Sequence, residues 1–180
     1  MRRILILGLC FLLILPFGCT AKKEPAAPAE TGAPAEQTAP NGAFNTEMIF
    51  SGTTLDGDPI DQTIFESYDL IIVNCWAEWC GPCVGELPEL ERIHQEYPNV
   101  LILGVLSGTD SVRNAKDTLK SAGVTYPTLE ASGKLAALSR RSQYIPATYF
   151  FDNEGHEIGS PIIGSQDYEG WKATVEEFLN

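Results

Sequence analysis

One octapeptide constrains this chain more than any other feature: Trp76-Ala77-Glu78-Trp79-Cys80-Gly81-Pro82-Cys83. It follows the continuous apolar, β-branched run Leu70-Ile71-Ile72-Val73, which reads as a buried central strand. It precedes Val84–Tyr97, where Leu87, Leu90, Ile93 and Tyr97 form an apolar helical stripe. Pro88 falls early in that stripe, where a first turn tolerates it. A Cys-x-x-Cys at a helix start has a chemical purpose. The thiol of Cys80 would face unpaired backbone N–H groups and the positive end of the helix dipole. That environment favours thiolate over thiol, and the thiolate is the attacking species. Cys83, one turn further in and more buried, is placed to resolve a mixed disulfide.

The remaining segments read as an α/β chain. Phe44–Ile60 reads as short strands around the turn Leu55-Asp56-Gly57-Asp58-Pro59. Val100–Leu106 is a second buried strand, and Ser111–Ala122 a helix ended by Gly123. A short helix is expected within Leu129–Ser142. Thr148–Phe151 reads as a strand, Asn153-Glu154-Gly155 as its turn, and Ile158–Ile163 as the last strand. Asp167–Leu179 closes the chain as a helix with Trp171, Val175, Phe178 and Leu179 on its apolar face. This order predicts a central mixed β-sheet flanked by helices, with an N-terminal β extension.

The N-terminus reads as an address. Met1-Arg2-Arg3 is a positive start, Ile4–Leu15 is apolar, and Gly18-Cys19 follows. Residues 1–18 resemble a lipoprotein signal, with Cys19 as the lipidated first residue of the mature chain, although Pro16 and Phe17 depart from the usual pattern. An ordinary signal peptide or an uncleaved anchor is the alternative, and all three place the domain outside the cytoplasm. Cys10, inside the apolar run, reads as a small hydrophobe. Residues 19–43 are rich in Ala, Pro, Glu and Thr, cannot bury enough surface to fold, and read as an extended tether. Residues 44–180 form the folded domain.

A net charge of −12 argues against a nucleic-acid partner and against electrostatic binding to an anionic membrane surface. A zinc site would need two further ligands beside the Cys-x-x-Cys. Cys75 is the only other cysteine of the domain, and His94 and His156 show no ligand spacing. No metal and no cofactor are therefore expected. Gly-Pro between the cysteines shapes a reactive turn rather than a structural staple.

The octapeptide WAEWCGPC resembles the active-site motif of thioredoxin, and its context is similar to the TlpA/ResA branch of extracytoplasmic thioredoxin-like proteins. Asn74 stands where cytoplasmic thioredoxins keep a buried Asp. Val84-Gly85-Glu86-Leu87-Pro88 carries the Glu and Pro typical of the branch, and Tyr144-Ile145-Pro146-Ala147-Thr148 resembles its cis-proline segment. The stretch 123–144 is similar to the family's central insertion. Cys75 departs from the family's usual aromatic residue and reads as a core substitution, with a second redox disulfide as the sharper alternative.

The resemblance implies a thioredoxin-like fold and a set of roles. Cys80 would be the nucleophile and Cys83 the resolving thiol. Glu86, three residues after Cys83 and on the same helical face, would accept its proton. Pro146 would be cis and pack beside the thiols, while the backbone at Ile145 pairs with an extended client. Trp79, Gly81 and Pro82 would complete the client-binding rim. The implied activity is protein-disulfide reduction, with clients such as apocytochrome c or methionine sulfoxide reductases. Electrons would come from a membrane donor of the CcdA/DsbD type, reached through the lipid anchor. Nothing in the sequence points beyond a monomer. A disulfide oxidase or isomerase using the same cysteines is the alternative. A copper metallochaperone of thioredoxin fold is the alternative from another class. A peroxidase is disfavoured, because such relatives lack a CGPC helix start.

Overall fold

The computed structural model describes residues 47–180. The signal and tether expectations, with Cys10, Cys19 and Phe44, lie outside the described residues. Strands β1 (Ser51–Thr53) and β2 (Pro59–Asp61) pair antiparallel around the expected turn, and a 3-10 helix (Gln62–Ser67) follows. Then come β3 (Leu70–Trp76), α1 (Gly81–Glu96), β4 (Val100–Leu106), α2 (Val112–Ala122), β5 (Thr128–Glu130), α3 (Gly133–Ser139), β6 (Ala147–Phe151), β7 (Glu157–Ile163) and α4 (Tyr168–Leu179). The main sheet has the order β5-β4-β3-β6-β7. β3, β4 and β5 run parallel, while β6 and β7 are antiparallel to their neighbours. This is the mixed sheet flanked by helices that the segment order implied. An isolated antiparallel bridge between Thr54 and Leu129 ties the N-terminal hairpin to β5.

β3 sits at the centre of the sheet and every one of its residues is buried. Alternation of side chains along a strand divides it between two cores. Leu70, Ile72 and Trp76 pack with Leu87, Leu90 and Ile93 of α1 and with Trp171 and Val175 of α4. Ile71, Val73 and Cys75 pack on the other face with Phe65, Leu135, Leu138 and Tyr149. Each fully buried Leu or Ile contributes roughly 1.5–3 kcal/mol. Asn74 belongs by alternation to the first face, the one that α1 covers.

Two details differ from the sequence reading, the place of Pro88 and the content of residues 129–142. β3 runs through Asn74, Cys75 and Trp76, because β4 and β6 pair with it along that stretch. α1 begins at Gly81 with Cys80 as its cap, the helix start expected of the Cys-x-x-Cys. Pro88 therefore lies inside the helix, beyond the first turn, and takes away one backbone donor there. Residues 129–142 hold a strand as well as a helix: β5 adds to the edge of β4 before α3 starts. A three-residue strand is too short to show a period of its own. The cap at Gly123 is as expected, with a left-handed φ of 73° that favours glycine.

Candidate active site

Cys80 and Cys83 lie where the central strand ends and α1 begins. They form a disulfide, with Cα atoms 5.3 Å apart. Cys80 is the N-cap of α1, and its sulfur accepts the backbone N–H of Cys83 at 3.3 Å. Unpaired N–H groups and the helix dipole are thus directed at Cys80, which stabilises its thiolate once the disulfide is reduced. Cys80 retains 7% exposure and Cys83 none, so attack from solvent reaches Cys80 first. Gly81 and Pro82 are exposed beside it.

The surface around Cys80 comes from distant segments. The Ile145–Pro146 peptide bond is cis, and Pro146 is buried. Cys80 Sγ lies 3.6 Å from the Ile145 carbonyl oxygen. The Gly164 N–H is donated to the Pro146 carbonyl at 2.9 Å, which holds the loop against the end of β7. Tyr144 and Trp79 stand out at 72% and 58% exposure. Trp79 is not loose, because its indole N–H is donated to the Gly108 carbonyl at 2.8 Å. Glu78 fastens the same loop. Its Oε1 accepts from Thr109 Oγ1 at 2.7 Å, from Asp110 N at 2.9 Å and from Ser111 N at 3.1 Å. Burial pushes the Glu78 carboxyl up, but these hydrogen bonds outweigh it and hold the group below the usual carboxylate range. The clip was not legible in the sequence, since Glu78 and the 108–111 loop meet only through the β3–β4 pairing.

Three residues after Cys83 on α1, Glu86 is a buried carboxyl with 1% exposure rather than a solvated helix charge. Its Oε1 accepts from Asn74 Nδ2 at 2.9 Å, and its Oε2 accepts from the Gln166 N–H at 3.3 Å. Burial pushes its pKa up from 4.5 to about 7. Three groups oppose burial: the Asn74 amide, the Gln166 N–H and the Trp171 indole N–H, which approaches without closing a full hydrogen bond. A carboxyl that titrates near neutrality is matched to giving and taking a proton at pH 7. Asn74 Nδ2 also donates to Thr148 Oγ1 at 3.0 Å. The sequence marked Asn74 and Thr148 only through their family resemblance and offered no sign of Gln166.

The other candidate ligands are elsewhere. Cys75 faces the core opposite to the one that holds Cys83. Burial pushes its thiol up to about 12, with only a small opposing effect from Ser107. His94 lies eleven residues beyond Cys83 on α1, roughly 16 Å along the axis, with its ring against Tyr126. His156 groups with Asp152 and Glu154 at the β6–β7 turn. Because β6 runs antiparallel to β3, with Ile71 opposite Phe151, that turn is at the far end of the sheet from the thiols.

Comparison with known proteins agrees with this geometry. Residues 37–156 match the model of the AhpC/TSA family. Sporulation thiol-disulfide oxidoreductase A of Bacillus subtilis is 25% identical over 134 residues, covering 72% of this chain and 79% of that protein. Thiol-disulfide oxidoreductase ResA of Oceanobacillus iheyensis is 29% identical over 131 residues, covering 68% of this chain and 64% of the relative. The crystal structure of a thioredoxin-family thiol:disulfide interchange protein from Chlorobium tepidum superposes with a TM-score of 0.66 at 25% identity, covering 73% of this chain and 94% of that one. The crystal structure of StoA from Bacillus subtilis gives a TM-score of 0.60 at 21% identity, over 75% and 98% of the two chains. The resemblance to the TlpA/ResA branch is borne out. With its Cys80–Cys83 pair on a thioredoxin-like fold, the chain is a thiol–disulfide oxidoreductase and belongs to the AhpC/TSA family.

Proposed function

We propose that this protein is a membrane-anchored extracytoplasmic reductase of protein disulfides. One observation carries the reading: a capping Cys80 bonded to a buried Cys83, with a buried carboxyl three residues further along the same helix whose pKa is about 7. In the reduced protein, the Cys80 thiolate attacks one sulfur of a client disulfide. A mixed disulfide forms and the other client sulfur leaves as a thiolate. Cys83 gives its proton to Glu86, and the resulting thiolate attacks Cys80 Sγ. The second client sulfur departs, so two electrons have passed to the client and Cys80–Cys83 is the disulfide described above. The cis-Pro146 loop exposes the backbone of Ile145 to an extended client, and Trp79, Gly81 and Pro82 form the rim it crosses.

The Gly-Pro dipeptide supports the reducing direction, since it is also the dipeptide of thioredoxin, a reductant at about −270 mV. The signal-like residues 1–18, Cys19 as lipid attachment site and the tether 19–43 support anchoring outside the cytoplasm. A membrane donor of the CcdA/DsbD type would then restore the dithiol. Apocytochrome c or methionine sulfoxide reductases are clients of fitting chemistry. The test is the reduction potential of the Cys80–Cys83 pair, equilibrated in thiol/disulfide buffers. A value at or below about −250 mV supports a reductase, and one above about −180 mV overturns that direction in favour of an oxidase or isomerase.

A further inference from the structure

Asn74 is fully buried in the centre of the sheet, in a row otherwise made of Leu70, Ile72 and Trp76. Strand pairing does not require an amide there, and an apolar side chain would complete the row. Burying an amide costs free energy unless its groups are used. Both Nδ2 protons are used: one reaches Glu86 Oε1 at 2.9 Å and the other reaches Thr148 Oγ1 at 3.0 Å. Thr148 is held opposite Asn74 by the β3–β6 register. Asn74 Oδ1 is buried with no hydrogen-bond partner.

That asymmetry has a chemical meaning. The amide now presents its donor to Glu86, as a carboxylate requires. A carboxylic acid has a proton to give and requires an acceptor. A half-turn of the amide about its last side-chain bond exchanges Nδ2 for the idle Oδ1. Thr148 follows without loss, because a hydroxyl both donates and accepts. An aspartate at this position could not serve in this way, since two adjacent carboxylates oppose each other's ionisation. The groups that interact with Glu86 are Asn74 on β3, Gln166 in the segment before α4, Trp171 in the first turn of α4 and Tyr126 before β5, with Cys83 three residues earlier on its own helix. None is cationic. Burial and the charges of Glu86 and Glu91 keep Tyr126 protonated.

We propose that Asn74 is a positioning residue for proton transfer at Cys83, an amide that turns over with the charge of Glu86 so that the carboxylate and the carboxylic acid are each hydrogen-bonded. This rests on Glu86 as the proton acceptor of Cys83. The amide is hydrogen-bonded to Glu86 and Thr148 and acts through Glu86.

The experiment uses the full chain with 13C-labelled glutamate carboxyls, the Glu86 signal being assigned by its loss in Glu86→Gln. Its titration is followed by NMR, beside the pH profile of exchange with a disulfide-containing peptide. In Asn74→Leu the Glu86 pKa is expected to rise by about one unit, because the amide's hydrogen bond to the charged carboxylate is stronger than its bond to the carboxylic acid. Exchange near pH 7 then falls about fivefold and recovers at higher pH, because a smaller fraction of Glu86 is ionised. In a Glu86→Gln background, Asn74→Leu leaves the profile where it was. Thr148→Val, which removes the hydroxyl anchor, moves the titration the same way, and Thr148→Ser restores it; this pair decides the matter if Asn74→Leu does not fold. An unmoved Glu86 titration in Asn74→Leu and Thr148→Val, with a profile that Glu86→Gln does alter, overturns the proposal alone. A profile that Glu86→Gln does not alter overturns the role of Glu86 and the proposal with it.

Discussion

Cys80 Sγ lies 3.6 Å from the carbonyl oxygen of Ile145, a residue 65 positions further along the chain. The more exposed sulfur of the pair and the backbone proposed above to pair with a client therefore share one surface. Cys83 lies behind that surface, fully buried. This separation predicts different fates for the two cysteine variants. Cys83→Ser should accumulate mixed disulfides with clients through Cys80, and Cys80→Ser should accumulate none. Non-reducing gels with mass spectrometry of the adducts provide the check. Identical adducts from both variants would reverse or cancel the two assignments.

The buried position of Glu86 predicts a pH-dependent stability. Its pKa is about 7 in the folded protein against 4.5 in the unfolded chain. Below pH 4.5 both states hold the proton and Glu86 costs nothing. Between 4.5 and about 7 the folded state holds more protons than the unfolded one, so stability falls as pH rises. Above that window the full cost, about 3 kcal/mol, is present. Glu86→Gln should flatten this dependence and be the more stable protein at pH 8. Urea unfolding of the oxidised protein from pH 4 to 8 measures it, and parallel curves for the two proteins would contradict the buried, titrating carboxyl.

Trp79 carries its exposed ring on a single hydrogen bond to Gly108. Trp79→Ala removes apolar area at the rim without opening the core. Stability should change by less than about 1 kcal/mol. Exchange with protein disulfides should slow several-fold, while exchange with oxidised glutathione changes little, because a small disulfide does not cross the rim. Equal slowing of both would move Trp79 from client binding to support of the site.

Cys75 is predicted to be inert. It faces the core opposite Cys83, and its thiol is pushed up to about 12 by burial. Iodoacetamide should not label it in the native reduced protein, but should label it in urea. Cys75→Ala should keep full exchange activity and lose roughly 1 kcal/mol of stability from the small void. Loss of exchange in this variant would restore the second-disulfide reading.

Much of the site was legible because its chemistry is local. The strand, the Gly-Pro turn and the helix are contiguous, so the octapeptide alone places Cys80 at a helix start with Cys83 behind it. The mixed sheet likewise follows from the order of apolar runs, each long enough to show its period. β5 and the 3-10 helix escaped that reading, being short segments without periodicity and held by their neighbours. The state of Glu86 escaped it too. Three residues after Cys83, a glutamate reads equally as a solvated charge or a proton acceptor. What decides is that α1 covers the face of β3 where Asn74 points, that Thr148 pairs opposite Asn74, and that the segment before α4 delivers the Gln166 N–H. The sequence by itself determined which atoms exchange electrons, since that depends on neighbours along one turn of chain. Only the tertiary structure decided which group can hold the proton, since desolvation and hydrogen bonding are set by elements far apart in the chain.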